Sequence, residues 1–106
     1  MKKPLSILGA LGVIAAIAVP SFAATKTIKI GDNFFKPKSV TVSKGTTVKW
    51  RFTGQVAHNV TVTKGPQKFH SNTQQKGSYS HKMTKKGTYK IICTIHPGME
   101  MTLKVR

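Results

Sequence analysis

From Thr25 onward, apolar and polar residues alternate almost one by one. Ile28 and Ile30 flank Lys29, and Val40 and Val42 flank Thr41. Val48, Trp50 and Phe52 are separated by Lys49 and Arg51, and Val60 and Val62 flank Thr61. A period of two sends each apolar set to one face of a strand and each polar set to the other. Tyr79 to Met83, Tyr89 to Cys93 and Thr102 to Val105 continue the pattern. Turn formers separate the runs: Gly31-Asp32-Asn33, Ser43-Lys44-Gly45, Thr53-Gly54, Lys64-Gly65-Pro66, Lys76-Gly77 and Lys85-Lys86-Gly87. No stretch carries a helical period with caps. The pattern predicts an all-β domain of about seven or eight short strands, packed as an antiparallel sandwich or barrel.

The first residues do not share that pattern. Met1-Lys2-Lys3 is basic, Leu5 to Val19 holds no charge, and Pro20-Ser21-Phe22-Ala23 offers small residues where a signal peptidase reads. The apolar run is shorter than the roughly 20 residues that span a bilayer. Residues 1–23 are therefore expected to be a cleaved export signal, with residues 24–106 as a single domain and a periplasmic or otherwise exported location. Cleavage after Ala23 leaves 83 residues, enough for one compact domain with a modest core.

Charge changes the picture of partners rather than of fold. The chain carries 18 basic and 2 acidic residues, a net +16. Loss of Lys2 and Lys3 with the leader leaves +14, with only Asp32 and Glu100 in opposition. Lys29, Lys49, Lys82, Lys90 and Lys104 fall in the outward phase of their strands, where a charge keeps a sheet soluble and discourages edge pairing. The near-absence of acids goes beyond that need and points to an acidic partner at the docking site. With one cysteine in an exported chain, an internal disulfide is excluded, so Cys93 is free, reactive or metal-bound.

The chemistry concentrates in Cys93-Thr94-Ile95-His96-Pro97-Gly98-Met99-Glu100-Met101. A thiolate, an imidazole and a thioether, each three residues apart in a loop after a strand, offer soft donors to one point. His58 stands at the start of the Val60–Val62 run and supplies a second imidazole. Two histidines and a cysteine in a plane, with a weak axial methionine, form the set that holds one copper ion in a blue-copper site. The candidate metal ligands are His58, Cys93 and His96, with either Met99 or Met101 in the axial place.

These residues carry a resemblance. Ala57-His58-Asn59-Val60, Gly87-Thr88-Tyr89 leading through Ile91 to Cys93, and the run Cys93-x-x-His96-Pro97-x-Met99 resemble the cupredoxins, and among them the amicyanins. The likeness extends over nearly all of residues 24–106, including Phe35-x-Pro37 and Trp50. It implies a Greek-key β-sandwich, copper bound through Nδ1 of His58 and His96, and single-electron transfer. It also implies that Asn59 ties the ligand segments together, its N–H on the Cys93 sulfur and its side chain on Thr94. His96 would be the partly exposed ligand. In the amicyanin pattern the axial methionine lies three residues after the histidine, at Met99. A longer loop would give Met101 and leave too few residues for a last strand. Ile95 stands where such proteins commonly carry proline, and its N–H becomes a second candidate donor to the sulfur.

The other readings are weaker. His70 and His81 have no partner at ligand spacing and are expected to be structural or solvated. Two carboxylates give no evident acid/base pair, and no serine sits at a hydrolase-like elbow, so no enzyme activity is expected. A thiol nucleophile at Cys93 would leave His58 and the methionines unexplained. Export removes nucleic acid as a partner, and Trp50, Phe52, Tyr79 and Tyr89 fall in the inward phase rather than forming a stacking platform. The expected function is electron transfer by a monomer with no stable membrane insertion after cleavage. A copper carrier or storage protein using the same ligands is the alternative.

Overall fold

The computed structural model describes residues 24–106, and the expected leader lies outside them. The described residues form eight strands: β1 (Thr25–Gly31), β2 (Phe34–Lys36), β3 (Ser39–Val42), β4 (Thr47–Phe52), β5 (Thr61–Lys64), β6 (Gly77–Lys82), β7 (Gly87–Ile92) and β8 (Glu100–Val105). There is no helix among them. One sheet has the order β2-β1-β4-β6 and the other β3-β8-β7-β5. The expected all-β sandwich is what the chain forms.

Alternation builds the core as the sequence pattern requires. Ile28, Ile30, Val48, Trp50 and Phe52 from the first sheet meet Val62, Tyr89, Ile91, Met101, Leu103 and Val105 from the second, all buried. Trp50 is fully enclosed, with ring centroids 6.0 Å from Phe69 and 5.9 Å from Tyr79. Truncating so large a core side chain costs about 3–5 kcal/mol. Lys29, Arg51 and Lys36 lie side by side on the outer face, since Lys29 pairs with both of the others.

Three features depart from the pattern reading. The sheets are mixed: β1 runs parallel to β4, and β3 parallel to β8. Successive strands repeatedly cross from one sheet to the other, so strands distant in sequence become neighbours, and hairpin logic alone does not set their direction. β2 was not anticipated, because three residues are too few to show a period. Asp32 and Asn33, the latter with φ 68°, make the tight turn that folds Phe34 back against Gly31. Asparagine tolerates that left-handed conformation better than most residues. Finally, Val60 precedes its strand, and its N–H goes to the Ser71 hydroxyl at 2.9 Å.

The three connections that matter chemically are the β1–β2 turn with Asp32, the β4–β5 segment with His58 and Asn59, and the β7–β8 loop. Ile92 pairs with Glu100, so residues 93–99 form a loop pinned at both ends by the sheet.

Candidate metal centre

The β7–β8 loop is tightly self-bonded. Cys93 N–H donates to the Met99 carbonyl at 3.0 Å, Met99 N–H to the His96 carbonyl at 3.1 Å, and His96 N–H to the Cys93 carbonyl at 3.4 Å. The chain reverses at Gly98, whose φ of 86° a side chain would resist. Cys93 and His96 therefore face one point. His96 is half-buried, whereas Ile95, Pro97 and Gly98 around it are exposed.

His58 comes from the opposite side. Its backbone exchanges hydrogen bonds with Gln74, at 3.0 and 2.9 Å, and its side chain is completely buried. Its Nδ1 lies 3.7 Å from the Cys93 sulfur, and the His96 Nδ1 lies 3.4 Å from the same sulfur. One ligand atom from each of the three residues falls within 4.8 Å of the other two. The spacing anticipated these three together, and the fold joins them across 35 residues of sequence.

Asn59 locks the two ligand segments. Its amide NH2 donates to the hydroxyls of Thr94 at 2.8 Å and Thr73 at 3.0 Å. Its carbonyl accepts from the Thr94 N–H at 3.1 Å and the Thr61 hydroxyl at 2.9 Å. The expected side-chain tie to Thr94 is present. The expected backbone donors to the sulfur are not: the nitrogens that approach the Cys93 sulfur among the described residues are the Nδ1 atoms of His58 and His96, not the N–H groups of Asn59 or Ile95.

The two methionines have different surroundings. Both are buried, but the Met101 sulfur accepts the Trp50 indole N–H at 3.4 Å inside the core, and Met101 sits within β8 opposite Ile91. Met99 lies in the loop that carries Cys93 and His96.

His70 and His81 join no such cluster among the described residues. His70 is exposed. His81 stacks on Phe69, ring centroids 3.9 Å apart and planes at 15°, and burial lowers its pKa below the ordinary value.

Pattern reading treated Asp32 only as a turn residue, yet its carboxylate meets the His58 Nε2 at 3.0 Å. Nothing in the spacing reveals this contact. The signal was compositional, since Asp32 is one of only two acids in the chain.

Two imidazole nitrogens and a cysteine sulfur, converging on one point, make a soft donor set that suits copper. The sandwich and this cluster define the class of protein, a cupredoxin. The chain belongs to the plastocyanin/azurin family of copper binding proteins, whose model matches residues 23–106. It is 34% identical over 102 residues to a plastocyanin from Prochlorothrix hollandica, covering 85% of this chain and 78% of that one. A purple cupredoxin from Nitrosopumilus maritimus has the same fold, with TM-score 0.70 and 24% identity over 76% of this chain and 99% of that one. Reduced amicyanin carrying a proline-to-phenylalanine mutation matches with TM-score 0.68 and 26% identity, over 85% of this chain and 90% of that one.

Proposed function

We propose that this copper-binding protein is an electron carrier, not an enzyme, with His58, Cys93, His96 and Met99 as its metal ligands. The observation that carries this reading is the convergence of two imidazole nitrogens and the single thiol within 4.8 Å, in a chain of the plastocyanin/azurin family. Copper held there would supply a one-electron Cu(II)/Cu(I) couple, its potential tuned by the ligand set and the surroundings of the sulfur.

The protein's own residues perform the rest. His58 is sealed from water, and the Asn59 bonds hold its segment to the Cys93 segment, so the ligands keep one arrangement through both oxidation states. His96 reaches the surface among Ile95, Pro97 and Gly98, which gives an electron a short exit. Met99 is favoured as the axial ligand because the Met101 sulfur already accepts the Trp50 N–H. The basic surface favours an acidic redox partner and a monomer, and residues 1–23 read as an export signal.

A copper carrier would use the same ligands, and spectroscopy separates the two. The purified protein loaded with copper should be intensely coloured through its Cu(II)–thiolate bond and show a reversible one-electron wave. Binding of Cu(I) alone, without that colour, would assign it to metal carriage. Cys93→Ser should abolish the colour, and an unchanged visible spectrum would overturn the ligand assignment.

A further inference from the structure

Acids are nearly absent from this chain, yet one of its two carboxylates is placed with care. Asp32 sits in the turn between β1 and β2 and leans toward the segment after β4. Both of its oxygens accept the Gln55 N–H at 3.0 Å, and Oδ1 also accepts the Val56 N–H at 3.4 Å. The same Oδ1 meets the His58 Nε2 at 3.0 Å. Gly54 leaves the necessary room, because a Cβ there would collide with the Asp32 Oδ1. No unusual φ requires glycine at that position, so the space for the carboxylate is its evident purpose.

This arrangement decides the chemistry of the His58 ring. Asp32 accepts the Gln55 and Val56 N–H groups as well, so its carboxylate faces the His58 Nε2 as an acceptor. With a carboxylate oxygen 3.0 Å away, Nε2 is placed to donate its N–H to Asp32, which turns Nδ1 toward the Cys93 sulfur as the ligating nitrogen. A carboxylate behind a ligating imidazole fixes the ring orientation and makes the nitrogen on the far side a stronger donor. A stronger donor with a negative charge behind it favours the more highly charged oxidation state.

We propose that Asp32 is a positioning residue for the copper centre, acting through His58 to set the ring tautomer and to hold the reduction potential down. The proposal rests on His58 being a copper ligand. Gln55, Val56 and Gly54 form the frame that keeps the carboxylate in place.

Asp32→Asn keeps an oxygen acceptor and removes the charge. In the copper-loaded protein it should weaken Cu(II) relative to Cu(I) about tenfold, which for a one-electron couple is about 59 mV upward, with the colour retained. Gly54→Ala keeps the charge and displaces the carboxylate, so its potential should move the same way. Glu100→Gln removes the other carboxylate without touching His58 and should shift the potential far less. In proton–nitrogen NMR of the Cu(I) protein, a His58 Nε2–H protected from exchange is expected, and its protection should be lost in Asp32→Ala. A wild-type protein without Cu(II)–thiolate colour would mean that the ligand reading itself is wrong. A coloured wild type whose potential is unmoved by Asp32→Asn and Gly54→Ala, or moved equally by Glu100→Gln, would overturn the role of Asp32 alone.

Discussion

Asn59→Ala removes the tie between the His58 and Cys93 segments. The side chain makes four hydrogen bonds, two to Thr94 and one each to Thr61 and Thr73. A neutral hydrogen bond contributes about 0.5–1.5 kcal/mol net. Thr73 and Thr94 are exposed, so part of what they lose can be replaced by water. Asn59 itself is buried, and its removal leaves a small void. The sum is a loss of roughly 2–4 kcal/mol. At about 4–8 °C per kcal/mol for a domain of this size, the melting temperature should fall by roughly 8–32 °C. Urea unfolding of the metal-free protein, followed by Trp50 fluorescence, measures it, with a lower midpoint and an unchanged slope expected. Thr73→Ala removes only one of the four bonds and should cost at most about 1 kcal/mol. The same bonds align His58 with Cys93, so copper affinity should fall in parallel. A loss below about 0.5 kcal/mol in Asn59→Ala, the range of an ordinary surface change, would refute the reasoning.

Met99→Leu should raise the reduction potential by removing a weak donor, whereas Met101→Leu should leave it nearly unchanged. Met101→Leu should instead cost about 1–3 kcal/mol of stability, because the buried Trp50 N–H loses its acceptor; a larger potential shift from Met101 would reverse the axial assignment. Burial holds the His81 pKa below its ordinary value of 6.5, so the unfolded chain binds the proton more readily. Its contribution to stability is complete above about pH 6.5 and is lost as the pH falls below that value. Replacing it by His81→Gln should flatten that limb in the difference between the two copper-loaded proteins, and identical limbs would count against it. Electron transfer to an acidic partner should slow steeply with salt, since screening limits the field to about 8 Å at physiological ionic strength. A rate indifferent to salt would move the docking surface to the apolar residues around His96.

The sequence by itself determined the β-sandwich and which residues meet at the candidate metal centre. Alternation at Ile28–Ile30, Val48–Phe52 and Tyr89–Ile91 is a local signal, because a strand with one buried face repeats every two residues whatever it pairs with. The Cys93 to Met99 loop was legible for the same reason: its donors are close in sequence, and the strands on either side fix how it closes. Pairing direction was not legible. The parallel pairs β1·β4 and β3·β8 arise from crossings between the sheets, which no local pattern records. Nor were the contacts that tune the site. Asp32 meets His58 across 26 residues, and Trp50 meets the Met101 sulfur across 51. A hydrogen bond of about 3 Å between side chains on different connections depends on how those connections are carried together, and only the packed sandwich sets that distance.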